Sequence, residues 1–392
     1  MYPNLSYFFH DLFGTEPDNF LSVINTFGFF LALAFLAAGY VLYLEFTRME
    51  KAGILHFQTR EIIVGEKPKI GDIVWNGVLG FLLGYKLIYL FQHFREVEGD
   101  VASLIFSGKG NLGAGILLAI AFAAYRYWDV NRQALPKPER KTVKIYPHDM
   151  VGDIAITAAV SGIIGAKLFA LFEGPNSFSH FIKDPLGQLF SGAGLAIYGG
   201  LIVAFVVVFW YVRKRGLPVI RVMDAAAPAM IMGYAVGRLG CQFAGDGDWG
   251  IANTAAKPGW FFLPDWAWAF DYPRNVLNDG IPIDGCIGHY CSHLATPVFP
   301  TPLYEVVASL IIFGILWLLR KRISIPGMIF FIYCMLNGIE RFFIEKIRVN
   351  ETMHVLGMEA SQAEIISTLV FALGIIGALI LWQRSRSKSA TS

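Results

Sequence analysis

The sequence predicts an all-α protein: a polytopic integral membrane bundle of about nine spans, N-terminus outside and C-terminus cytoplasmic. Three observations predict it. The 392-residue chain is 55% hydrophobic and 16% charged, with mean hydropathy +0.52, against about 25% charged for an ordinary soluble domain. The apolar residues gather into repeated runs of about 20, enough to cross a hydrocarbon core about 30 Å thick. Lys and Arg concentrate in alternate loops, which sets orientation.

The segment from Tyr2 to Asn19 is polar and aromatic and has no basic n-region. No cleavable signal peptide is expected, and the first run, 21–44, stays as a span. Further spans fall near 72–93, 111–128, 151–172, 195–213, 222–243, 302–319, 325–345 and 363–383. Loop 45–71 carries Arg48, Lys51, Arg60, Lys67 and Lys69, and loop 129–150 carries Arg132, Lys137, Arg140, Lys141 and Lys144. Arg213 to Arg215 follow the fifth span and Arg320 to Arg322 the seventh. With Arg384, Arg386 and Lys388 at the C-terminal end, these segments read as cytoplasmic. Residues 1–392 read as one membrane domain with an outer arm, 244–301. The arm carries Trp249, Trp260, Trp266 and Trp268, a residue type favoured at headgroup level. An ordinary folded extracytoplasmic loop is the alternative. The net charge is +2 and the basic residues are dispersed, so no nucleic-acid surface is expected.

An internal repeat stands out. GDIVWNGVLGFLLGYKLIYLF (71–91) and GDIAITAAVSGIIGAKLFALF (152–172) share 8 of 21 positions, including Asp72 with Asp153 and Lys86 with Lys167. With a three-residue slip, FSGKG (106–110) matches FSGAG (190–194). Fixed-period similarity marks a repeated structural unit, here 60–130 and 141–214, each a two-span hairpin.

Charges inside spans are costly and usually face the bundle interior. Lys86 and Lys167 each lie about 21 Å beyond a cytoplasmic-end aspartate, at 1.5 Å per residue. Arg238 and Arg341 lie about 24 Å into their spans. Four cations at one height in the outer half of the membrane suit a lipid phosphate, which an arginine fork matches in bidentate fashion. Glu345, four residues after Arg341, can meet it on one helix face. Tyr198 with Gly199 and Gly200, and the segment PTPLYE (300–305), stand at the same level.

GRLGCQFAGDGDWG (237–250) resembles the signature of the prolipoprotein diacylglyceryl transferases, usually GRxGNFxNGExxG. GIIGAKLF (162–169), SGAGLAIYGGLI (191–202), TPLYE (301–305), NGIERFFIEKIR (337–348) and INTFGFFLAL (24–33) resemble further family segments in the same order. The resemblance implies a seven-span bundle, to which the duplicated hairpin adds the spans of 72–128. It also implies a reaction. An sn-1,2-diacylglyceryl group passes from phosphatidylglycerol to the lipobox cysteine thiol of a preprolipoprotein, and glycerol phosphate leaves. The partners are that phospholipid, preprolipoprotein signal peptides and membrane lipid, in the bacterial inner membrane. Neither a cofactor nor a metal is expected.

By the same resemblance Arg238 and Arg341 match the essential arginines and form a phosphate clamp. Tyr198, Glu345, Asp246 and Asp248 are catalytic candidates. Phe27, Lys167, Gly199, Gly200, Gly237, Gly240, Cys241, Gly250, Tyr304 and Glu305 are the substrate-binding candidates. The chain departs from the pattern where the family has histidine (Tyr198), asparagine (Cys241), and tyrosine (Phe27 and Asn337). One inserted residue leaves either Asp246 or Asp248 at the acidic signature position. A tyrosine, with an ordinary pKa about 10, is a poor base at neutral pH, and the thiol's own pKa is about 8.5. Two other readings stand beside this one: a catalytically lapsed relative that still binds lipid or lipoprotein, and a transporter built on the repeated hairpin. In CIGHYCSH (286–293), Cys286 and Cys291 suit a disulfide, and with His289 and His293 a zinc site.

Overall fold

The structure, a computed structural model, describes residues 1–93, 108–172, 182, 196–350, 352–355 and 358–389. The described residues form ten α-helices and three two-stranded antiparallel sheets. The helices are α1 (Leu5–Phe13), α2 (Thr26–Lys51), α3 (Ile70–Gln92), α4 (Leu112–Gln133), α5 (Val151–Ala170), α6 (Ile197–Lys214), α7 (Val219–Ala244), α8 (Thr301–Leu319), α9 (Met328–Glu345) and α10 (Gln362–Ser389). Six of them, α2, α3, α5, α7, α8 and α10, are long and apolar enough to cross a membrane, so the protein is a polytopic helical membrane protein. The eighteen residues of α9 carry Glu340, Arg341 and Glu345, and it is not among the six.

The chain divides into two compact units, Met1–Leu55 with Val212–Ser392, and His56–Tyr211. In the second, strand β1 (Gln58–Val64) leads into α3 and α4, and strand β2 (Glu139–Ile145) leads into α5 and α6. β2 begins and ends 81 residues after β1, the same shift that aligns the repeated segments. The strands pair antiparallel with Glu61 opposite Thr142, its own counterpart at that shift. The α3 and α4 backbones approach closely at Gly84, where a Cβ would stand 2.4 Å from the Ala114 carbonyl oxygen. Gly165, its counterpart in α5, stands in the same relation to the Gly199 carbonyl of α6, at 2.6 Å. Small residues permit such approach where lipid supplies no hydrophobic drive. Residues 106–107 and 190–194 of the FSG match lie outside the described residues.

In the first unit, Asn25 caps α2, its side chain accepting from the Phe27 amide at 2.8 Å. α2 packs on α7, α7 on α8, and α9 on α10. Ala227 and Ile231 of α7, Ile312 and Leu316 of α8, and Ile329 of α9 form a buried core. At one end of these helices, Asp224 of α7 accepts from the amides of Gly327 (2.7 Å) and Phe330 (3.2 Å). Those amides belong to the first turn of α9, which has no intrahelical partners for them. Near the same end, buried Glu45 pairs with Arg48 at 2.9 Å and with Arg320. At the other end α7 stops at Gly245, whose left-handed backbone (φ 64°) returns its N–H to the Cys241 carbonyl.

The arm folds on a small core of Tyr272, Leu294 and Val298, flanked by Trp249 and Phe270. Strands β3 (Ile281–Pro282) and β4 (Ser292–His293) pair beside it, and Cys286 is disulfide-bonded to Cys291. Of the two readings of CIGHYCSH, the disulfide is the one formed. Trp260 and Phe262 remain 75% and 92% exposed. The N-terminus is tied to the arm: the Met1 ammonium donates to the Pro273 carbonyl at 2.7 Å, and the Tyr7 hydroxyl of α1 accepts from the Tyr290 amide at 3.1 Å.

Candidate active site

The charged cluster lies in the first unit, where the last turns of α7 and α9 meet the first turns of α8. Each contributes for a local reason. Arg238 lies one turn from the end of α7, and Tyr234 one turn further in places its ring 5.2 Å from the Arg238 guanidinium. Beyond Gly245 the chain turns back through Asp246 and Asp248. Gly250 then lies so close to α9 that a Cβ there would stand 2.4 Å from the Ile347 carbonyl. Thr301, at the start of α8, donates to the Asp248 carbonyl at 2.8 Å.

Glu305, fully buried one turn into α8, is the hub. It receives Arg238 Nε at 2.6 Å, Arg348 Nη1 at 3.1 Å, Arg341 Nη1 at 3.7 Å and the Tyr234 hydroxyl. Asp248 bridges two of the same guanidinium groups, pairing with Arg238 and accepting Arg348 Nη2 at 2.7 Å. Glu345 pairs with Arg341 at 3.2 Å and accepts from the Ser361 hydroxyl at 2.7 Å. Of the two aspartates, Asp248 meets the guanidinium groups. Asp246 accepts from the Asp248 amide at 3.3 Å.

Their acidities diverge accordingly. Burial alone would raise the Asp248 carboxyl, but Arg238 and then Arg348 outweigh it and hold it below the usual carboxylate range. Burial pushes Asp246 up, and the neighbouring Asp248 charge pushes the same way. Cys241, Asp246 and Asp248 offer ligand atoms within 4.8 Å of one another. Arg238 Nη1 stands 3.7 Å from the Cys241 sulfur and two guanidinium groups already hold Asp248. A second cation is opposed there, and we assign no metal.

Within the cluster, two buried guanidinium nitrogens, Arg341 Nη1 and Arg348 Nε, have no hydrogen-bond partner. A buried donor left unmade costs about 1–3 kcal/mol. An oxyanion with several acceptor oxygens would satisfy both, and the arginine fork fits a phosphate best.

The family model of the prolipoprotein diacylglyceryl transferases matches residues 115–381, more than half of the chain. The chain belongs to this family. A phosphatidylglycerol–prolipoprotein diacylglyceryl transferase of Corynebacterium efficiens is 31% identical over 232 residues, 58% of this chain and 67% of that protein. One from Lysinibacillus sphaericus is 31% identical over 255 residues, 64% of this chain and 84% of that protein. One from Dehalococcoides mccartyi is 25% identical over 296 residues, 75% of this chain and 95% of that protein.

Of the residues that the resemblance to these transferases pointed to, the fold gathers Arg238, Arg341, Glu345, Asp246, Asp248, Cys241 and Glu305. Phe27 lies against Gly240, whose Cβ would meet it at 3.5 Å. Gly237 has open space beside it. Tyr304 turns away, donating to the Ala267 carbonyl of the arm at 2.8 Å. Lys167, Tyr198, Gly199 and Gly200 belong to the second unit, Lys167 in the last turn of α5 and the other three in the first turn of α6. Sequence reasoning missed Arg348, Tyr234 and Glu340. The signals were there: Arg348 is seven residues after Arg341, and Tyr234 four before Arg238, spacings that share a helix face. Glu340 stands beside Arg341 in the same quoted motif.

Proposed function

We propose that this protein transfers an sn-1,2-diacylglyceryl group from phosphatidylglycerol to the lipobox cysteine thiol of preprolipoproteins, the first step of bacterial lipoprotein maturation. Within a chain of this family, the observation that carries the reading is the pair of buried guanidinium nitrogens without a hydrogen bond on Arg341 and Arg348, beside Arg238. They bind the lipid phosphate and take up the charge that grows on glycerol phosphate as it leaves. Glu305 and Asp248 hold the three arginines in place. The lipobox sulfur attacks the glyceryl carbon, a carbon–sulfur bond forms, and the carbon–oxygen bond to phosphate breaks. Tyr198 keeps the catalytic role, and Lys167, Gly199 and Gly200 the substrate-binding roles, that the resemblance implies. Phe27, Gly237, Gly240, Cys241 and Gly250 shape the site, and Tyr304 ties α8 to the arm. The chain resides in the bacterial inner membrane as nine spans, N-terminus outside, with the cluster toward the outer leaflet. Residues 60–130 and 141–214 are copies of one hairpin, a reading supported by the 81-residue offset of β1 and β2.

A lapsed relative that binds phosphatidylglycerol without transfer is the second reading, favoured by Tyr198 and Cys241 at the histidine and asparagine positions. One assay separates the two: full-length protein, phosphatidylglycerol vesicles and a lipobox peptide, with the thioether product read by mass spectrometry. Transfer by the wild type is expected. Arg341→Lys and Arg348→Lys keep the charge and lose the fork, and each is expected to lower the rate about 10²–10³-fold with the protein still folded. Binding without transfer, for every lipobox peptide tried, would establish the lapsed reading.

A further inference from the structure

Glu340 has no place in the clamp just described. It is 7% exposed, and both its carboxylate oxygens are buried without a hydrogen bond. Among the described residues no other carboxylate has both oxygens so left. Glu305, Asp248 and Glu345 are each held by guanidinium groups. An unpaired buried carboxylate is costly to keep, and an apolar side chain would pack at this helical position without that cost. Ionisable residues retained inside a membrane bundle mark chemistry or transport more often than architecture.

Charged and titratable groups from three helices and the segment after α9 lie within electrostatic reach of Glu340. Glu305 stands on α8, Arg238 and Tyr234 on α7, Arg341 and Tyr333 on α9 itself, and Arg348 beyond it. α10 approaches α9 nearby through Ser367 and Phe371, which meet Gly338 and bring no ionisable group. Glu340 is therefore an unengaged carboxylate within the electrostatic reach of all three arginines. A phosphate bound by those arginines lies within the same reach.

We propose that Glu340 is the catalytic base of this chain, standing in for the histidine that Tyr198 replaces. The inference rests on the transferase reading. The lipobox thiol gives its proton to the Glu340 carboxylate, and the sulfur lone pair forms the bond to the glyceryl carbon. The carbon–oxygen bond breaks with its electron pair on the phosphate oxygen. The Glu340 acid then returns the proton to the glycerol phosphate dianion, which leaves as the monoanion.

The test is Glu340→Gln in the full-length protein with phosphatidylglycerol vesicles and a lipobox peptide. The expected result is a kcat about 10²–10⁴-fold lower at neutral pH, with vesicle binding and the peptide KM unchanged. The variant's rate should climb about tenfold per pH unit toward the thiol's own ionisation near about 8.5, while the wild type levels off earlier. Glu340→Asp should recover part of the rate. Glu340→Leu should raise thermal stability while abolishing transfer, a trade expected of a functional group and not of a structural one. A Glu340→Gln enzyme with wild-type rate and pH profile overturns the assignment. So does a loss whose pH profile keeps the wild-type shape, or one that follows loss of folded protein in both Gln and Leu variants. Absence of transfer by the wild type at any pH overturns the transferase reading and this inference with it.

Discussion

Asp246 and Asp248 are two residues apart and are pushed in opposite directions. The Asp248 carboxyl is held low by Arg238 and Arg348 against the pull of its burial. Its contribution to stability is present above the ordinary Asp value of about 3.9 and is lost as pH falls through its folded value. Asp246 is held high, by burial first and by Asp248 second. The folded state binds its proton more tightly, so stability declines as pH rises from the ordinary Asp value toward its folded one. Thermal melts of the two amide variants check both signs. Asp248→Asn should lose about 1–3 kcal/mol at pH 7, discounted for partial exposure, with the loss shrinking below about pH 4. Asp246→Asn should gain stability at pH 7 and be neutral in acid. If both variants shift the same way, the assignment of Asp248 as the arginine partner is wrong.

Helix α9 carries Glu340, Arg341 and Glu345 and is pinned at both ends. Asp224 satisfies its first amides, and Glu345 at its last residue is held by Ser361 and Arg341. In the same first turn Ile329 joins Ala227 and Ile231 in the buried core and adds to the hold on α7. Asp224 lies far along α7 from Arg238 yet decides where Arg341 sits. Asp224→Ala should cost about 1–2 kcal/mol, the loss of a helix N-cap, and should lower transfer by raising the lipid requirement more than by slowing the saturated rate. Transfer kinetics over a phosphatidylglycerol titration would check this. An unchanged half-saturation would show that α9 is placed by packing without the cap.

For the molecule as a whole, the family match begins at Gly115, so α2 and α3 precede it. α3 belongs to the hairpin read as the added copy. The orientation proposed for all nine spans places the arm outside and the loop before β2 inside. Ala256 and Lys137, both exposed, report on those two segments. An impermeant maleimide applied to intact cells should label Ala256→Cys and spare Lys137→Cys. The reverse pattern would invert the topology and move the clamp to the inner leaflet.

Much of this was open to reading in the chain itself. Hydrophobic period and length mark helices locally, and each of the nine expected segments is helical in the described residues. The motif spacing exposed Arg238, Arg341 and Glu345, and the 81-residue offset of the repeated segments is also that of β1 and β2. These signals are short-range, since helical period and motif spacing bind neighbours within a few turns. Which charge meets which is set instead by the faces of helices far apart in sequence. That Asp248 rather than Asp246 takes the arginines depends on Arg348, 100 residues later, arriving beside it. That Glu305 becomes a hub needs α7, α8 and α9 packed at one height, and the pinning by Asp224 and the core of Ile231, Leu316 and Ile329 supplies that height. Glu340 looked like one more charge in a charged motif. Packing made it the acid whose oxygens no described group hydrogen-bonds.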